Sequence, residues 1–210
     1  MAYSDFTLKK AKSDFNLKTI EDRSLFSDIP CVAISDYLKT TLTRNVPLAI
    51  SINTEKARSE LIIINILLEV KDTLSQKMSL FSGVEFTVDK ERGLNGFCDY
   101  LLSHSPEQLY VEIPVVAIVE AKNDNLMSGI GQCIAEMYAA AIYNEQEHRA
   151  ISCMYGGVTT GEEWKFLKLI RDTAYIDNQS YYLSDIQKII GILVSMIEPP
   201  PTSQQDGDGR

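Results

Sequence analysis

The stretch that most limits what this chain can become runs from Phe97 to Lys122. From Val111 to Ala121 nearly every residue is apolar and many are β-branched: Val111, Ile113, Val115, Val116, Ala117, Ile118 and Val119. A short run of this kind reads as a strand buried on both faces of a sheet. It ends in Glu120-Ala121-Lys122. Side chains alternate along a strand, so Glu120 and Lys122 share a face with Val116 and Ile118 behind them. An acid and an amine at the mouth of a buried strand are costly to desolvate unless they are paired or used. Upstream, Gly96-Phe-Cys-Asp99-Tyr-Leu-Leu is a second apolar strand with one carboxylate in it. A hairpin through His104-Ser-Pro-Glu-Gln brings Asp99 near Glu120, so two carboxylates and a lysine converge.

The chain in order supplies the surroundings. Residues 1–50 read as an N-terminal extension packed on the domain, with short strand or loop pieces, a short helix over Ser35–Leu42 and a loop through Asn45-Val-Pro47. Thr54 is a helix N-cap with Glu55 in the first turn. The helix is expected to run to about Thr73, and at helical spacing Glu60 shares a face with Ile63, Ile64 and Leu67 and so points inward. Val84, Phe86 and Val88 alternate with polar residues as a strand does. Leu94–Leu102 and Tyr110–Lys122 follow as strands, and Gly129–Asn144 as an alanine-rich helix with Gln132 and Glu136 side by side at i and i+4. Ala150–Val158 is the next strand, expected to lie parallel to the Glu120 strand after a right-handed crossover. Strands at 164–170, 173–176 and 181–183 precede a last helix, opened by the capping box Ser184-Asp-Ile-Gln187 and ending near Ile197. Residues 51–198 form the domain, and 199–210 read as a disordered tail.

Asp99, a 21-residue spacing and Glu120-Ala121-Lys122 resemble the active-site pattern of the PD-(D/E)XK nuclease superfamily, the restriction-endonuclease-like fold. The proline that precedes the aspartate in that pattern is replaced by Cys98. The resemblance implies an α/β fold with an α-β-β-β-α-β core over residues 54–160 and an extra C-terminal strand region and helix. It implies Mg²⁺, replaceable by Mn²⁺, held by Asp99, Glu120 and the Ala121 carbonyl. Lys122 would position a water and the scissile phosphate. Glu60, with Glu55 in reserve, takes the place of a helix glutamate near the metal, and Gln132 that of a polar helix residue beside the site. It implies a DNA substrate, and dimers are common among similar enzymes.

Composition restrains this reading. A net charge of −9 counts against strong non-specific affinity for nucleic acid, though not against a local basic groove. No apolar run is long enough to span a bilayer. No basic segment followed by an apolar core opens the chain, so a cytoplasmic protein is expected. Cys31, Cys98, Cys133 and Cys153 lack Cys-X-X-Cys spacing and read as reduced core residues. Two histidines, His104 and His148, suggest neither zinc nor a nucleophile relay. Alternatives therefore stand beside a Mg²⁺-dependent nuclease: a non-catalytic nucleic-acid- or protein-binding module on the same fold, or an acidic enzyme acting on a small phosphorylated substrate. In the plainest of these, Glu120 and Lys122 simply pair at a strand end and Asp99 binds backbone amides.

Overall fold

The fold comes from a computed structural model in which residues 1–75 and 77–198 are described; the tail expected to be disordered lies outside them. After a 3₁₀ turn at Tyr3–Asp5 come α1 (Leu8–Asp14), β1 (Lys18–Ile20) and α2 (Asp36–Ile52). Next are α3 (Glu55–Arg58), a π turn (Ser59–Ile63) and α4 (Ile64–Thr73). Then follow β2 (Ser79–Glu85), β3 (Phe97–Ser103), β4 (Val115–Ala121), α5 (Leu126–Gln146), β5 (Met154–Thr159), β6 (Glu163–Ile170), β7 (Thr173–Ile176), β8 (Tyr181–Tyr182) and α6 (Ile186–Ile197).

The strands form one mixed eight-stranded sheet in the order β1-β7-β6-β5-β4-β3-β2, with β8 beside β6. All seven residues of β4 are buried, as its uninterrupted apolar run requires. It lies antiparallel to β3 and parallel to β5. Each sheet face carries a core. On one, α2, α4 and α6 cover Tyr100, Leu102, Ala117, Val119, Trp164 and Phe166. On the other, α5 and the N-terminal segment cover Cys98, Leu101, Ile118, Val158, Leu167 and Leu169. The arrangement is a mixed α/β sandwich. The N-terminal residues are woven into it, since β1 pairs with β7 as an edge strand.

Several local expectations need correction. α2 does not stop near Leu42 but runs through Pro47 to Ile52. Both Pro47 and Thr43, whose carbonyl loses its helical donor there, face solvent, so water can satisfy the orphaned group. β2 ends at Glu85, before Phe86 and Val88, and β4 begins only after Pro114, which lacks an N–H to give to the ladder. α5 starts at Leu126, three residues before the expected Gly129, because the Asn125 side chain accepts from the Met127 N–H at 3.0 Å. The Ser184–Gln187 capping box does not form: a 3₁₀ turn at Leu183–Asp185 leads into α6, and Asp185 makes no side-chain cap. All four cysteines are free, but Cys31 is exposed rather than in the core.

Candidate active site

The antiparallel register pairs Tyr100 with Val119. One step further along, Asp99 comes level with Glu120, at the ends of the strands where the ladder opens. There the Asp99 carboxylate takes the Ala121 N–H at 2.8 Å in place of a strand partner. The parallel neighbour holds the next residue, since the Lys122 N–H donates to the Thr159 carbonyl at 2.8 Å. The backbone on both sides therefore fixes Asp99, Glu120 and Lys122 on adjacent positions.

Glu120 is 1% exposed and pairs with the Lys122 ammonium through Oε1. Its Oε2 is buried and has no hydrogen-bond partner among the described residues. Burial, then Glu136 and Asp99, push the Glu120 carboxyl far above its ordinary range, against the opposing pull of Lys122. Burial alone would lower Lys122, but Glu120, Glu55 and Asp99 outweigh it and raise it, so the amine stays an ammonium. A second acid, Glu136 on α5, is fully buried and also raised, first by burial and then by Asp99. Lys122 Nζ donates to Gln132 Oε1 at 3.4 Å, and Gln132 Nε2 donates to Glu136 Oε1 at 3.1 Å. The four side chains form one chain of contacts from β4 into α5.

Room for the lysine stem comes from Gly129. A Cβ there would lie 2.7 Å from Val158 Cγ1 and 3.0 Å from Lys122 Cε.

A cleft of about 340 Å³ reaches the site at Asp99 and Ala121 and is lined besides by Glu55, Lys56, Ser59, Glu60, Ser82 and Gly83. One wall is the helix from Thr54, whose side chain caps the Ala57 N–H at 3.1 Å. The other is edge strand β2, where Ser82 pairs with Tyr100 and Val84 with Cys98. Gly83 thus stands opposite Asp99, and its φ of +62° is one that glycine adopts without penalty. With nothing within 4 Å of a Cβ placed there, the wall is open beside the carboxylate.

The structure brings Asp99, Glu120, Lys122 and Gln132 together but turns Glu60 away. The Glu60 side chain is 64% exposed on the cleft rim and faces Lys56 at 3.8 Å. The reason is the π turn, which adds a residue to one turn, rotates Ile62 and Ile63 into the core and swings Glu60 outward. Tyr100 anchors that turn by donating to the Ser59 carbonyl at 3.0 Å. Glu55, one turn earlier, is the helix acid nearer the cluster: burial raises it, Lys122 lowers it and Asp99 raises it. Sequence reading missed Glu136 as a buried acid, although its place inside Cys133-Ile-Ala-Glu-Met was the available signal.

Among the described residues no three His, Cys, Asp or Glu side chains converge tightly enough to hold a metal ion by themselves. Among the described residues no helix is long and apolar enough to cross a membrane. No model of a known protein family matches the chain, and no curated protein matches it.

Proposed function

We propose that this chain is a Mg²⁺-dependent nuclease of the PD-(D/E)XK type that hydrolyses phosphodiesters, with DNA as substrate. The observation that carries the reading is the unpartnered, buried Glu120 Oε2 next to Asp99, with Lys122 alongside. A carboxylate oxygen stripped of water and of hydrogen bonds is stabilised by a cation. The donor set is all hard oxygen, and Mg²⁺ is commonly held by one or two carboxylates with waters and substrate phosphates filling the rest. Asp99, Glu120 and the Ala121 carbonyl would hold it, and the need for only two carboxylates is compatible with the absence of a three-acid cluster among the described residues. When bound, the ion supplies charge stabilisation for the phosphoryl oxygens. The element order α4-β2-β3-β4-α5-β5, with β4 parallel to β5, supports a restriction-endonuclease-like core.

The chain's own residues do the positioning. Lys122, kept charged by three surrounding acids, holds the scissile phosphate and orients the attacking water rather than removing its proton. Ala121 N–H fixes the Asp99 carboxylate. The gap at Gly83 lets the strand of substrate approach Asp99 closely.

A binding module on the same fold is the second reading, favoured by the net charge of −9. Cleavage of plasmid and single-stranded DNA with Mg²⁺ or Mn²⁺ decides between them. Metal-dependent cutting that both Asp99→Ala and Lys122→Ala abolish supports the nuclease. Cutting that survives both rules out this site, and no cutting by wild type moves the weight to the binding module.

A further inference from the structure

Glu136 is a fully buried acid with no role in the reading above. It is 0% exposed, lies within the apolar run of α5 and has no lysine or arginine partner among the described residues. Burying a carboxylate costs several kcal/mol unless charge and hydrogen bonds offset it. Its hydrogen bond among the described residues comes from Gln132, and its Oε2 has none. Water is kept off from the outside as well. A Cβ at Gly131 would run into the Thr7–Leu8 backbone, so the N-terminal segment lies directly on this turn of α5. Tyr3, from the same segment, is buried at 1% with its hydroxyl also unpartnered among the described residues. A neutral apolar residue at 136 would fit such surroundings better, so stability alone gives no reason for an acid.

The geometry gives one. A glutamine amide can turn end for end, offering either its oxygen or its NH₂ to a neighbour. Glu136 Oε1 accepts, so the Gln132 NH₂ turns inward and its oxygen faces out to Lys122 Nζ. With the amide reversed, two donors, NH₂ and NH₃⁺, would face each other. We propose that Glu136 is a positioning residue: it locks the Gln132 amide so that Lys122 keeps a second acceptor besides Glu120. The inference rests on the nuclease reading and deepens it. A cation held at Glu120 Oε2 would draw on the same carboxylate that pairs with Lys122 through Oε1 and would weaken that pairing. Gln132 is then the second acceptor that keeps the ammonium in place. Glu136 touches no reacting atom and acts only through Gln132.

The test uses the full chain as wild type, Glu136→Leu, Glu136→Gln and Gln132→Leu. The first readout is NMR of ¹⁵N-lysine protein, with the Lys122 ammonium signal assigned by Lys122→Arg. A side chain held by two acceptors exchanges its protons slowly and gives a sharp signal. That signal is expected in wild type and in Glu136→Gln, whose amide oxygen still accepts from Gln132. It is expected to be lost in Glu136→Leu and Gln132→Leu. The second readout is kinetic: at least a tenfold lower kcat in both Leu variants, with KM and Mn²⁺ Kd within twofold of wild type, and recovery in Glu136→Gln. A wild-type lysine signal in both Leu variants overturns the proposal, as does kcat within twofold of wild type. If the wild type cuts no substrate but the lysine signal follows the expected pattern, the positioning contact stands and the nuclease reading has failed. Should Glu136→Leu not fold, Gln132→Leu breaks the same contact from the exposed side and decides the matter alone.

Discussion

With no metal present, the buried acids should make the fold weaken as pH rises through neutrality. Glu120 and Glu136 each ionise near 4.5 when the chain is unfolded, and both are held well above that in the fold, chiefly by burial. For an acid raised on folding, the stabilising contribution is complete below the unfolded pKa and is lost as pH climbs towards the folded one. Each pH unit over which the fold retains one extra proton costs about 1.4 kcal/mol. Lys122 compensates one negative charge of the pair, so one retained proton is the appropriate count. From pH 6 to pH 8 the loss is then about 3 kcal/mol, and for a chain of this size Tm should fall by about 6–12 °C. Glu120→Gln keeps an acceptor for Lys122 and removes the titration, so its slope should be markedly shallower and its Tm at pH 8 higher than wild type. Thermal unfolding followed by circular dichroism in EDTA at pH 6, 7 and 8 measures both, and the difference between the proteins cancels contributions from other groups. Millimolar Mg²⁺ should flatten the wild-type slope and leave Asp99→Ala unchanged. A wild-type Tm that is flat across this range in EDTA, or a Glu120→Gln slope equal to wild type, would refute the reasoning.

Three further outcomes follow from the cleft. Gly129→Ala gains helix propensity of about 1 kcal/mol but drives a methyl against Val158 and the Lys122 stem, so stability should change by less than about 2 kcal/mol in urea unfolding while cleavage falls about tenfold. Gly83→Val forces a β-branched residue to a φ of +62° and should cost about 2 kcal/mol, whereas Gly83→Asn, which tolerates that region, should cost less than half as much in the same assay. Glu55→Gln should lower cleavage more than Glu60→Gln, because Glu55 feels Lys122 and Asp99 while Glu60 lies on the solvent rim; equal rates for the two would argue against the helix orientation.

The parts of this fold that were legible are those with one physical reason behind them. The run from Val115 to Ala121 can only be a strand with both faces covered, and period 2 then puts Glu120 and Lys122 on one side. From that strand and a hairpin, the meeting with Asp99 follows. The helix after Thr54 was legible from its cap, but not its π turn, because Ser59–Ile63 would make an ordinary α-helical turn equally well. That single extra residue is why Glu60 was expected inside and stands outside. The end of α2 was hidden by Pro47, whose cost is small only because the freed carbonyl meets water. The strand signal at Val84, Phe86 and Val88 marked edge strand β2, but its start at Ser79 was hidden by Ser82-Gly83, a weak strand signal that the cleft beside Asp99 nevertheless uses.

What remains is why a well-packed sheet tolerates two buried acids at all. The core on the α5 side of the sheet, with Cys98, Ile118, Cys133 and Val158, is buried and apolar. Selection for stability alone would extend that packing across positions 120 and 136, since of the two buried carboxylates only Glu120 is paired with an ammonium, a net destabilisation. Glu120 Oε2 and Glu136 Oε2 are both buried and unpartnered among the described residues, and Asp99, which raises both carboxyls, lines the cleft beside the left-handed Gly83. Local sacrifice of stability concentrated around one opening is the expected mark of a site preorganised for a charged ligand. The same reasoning gives the order in which the groups matter. On the proposed function Asp99 and Glu120 would meet the cation and Lys122 the substrate, and Gln132 with Glu136 would keep Lys122 in place.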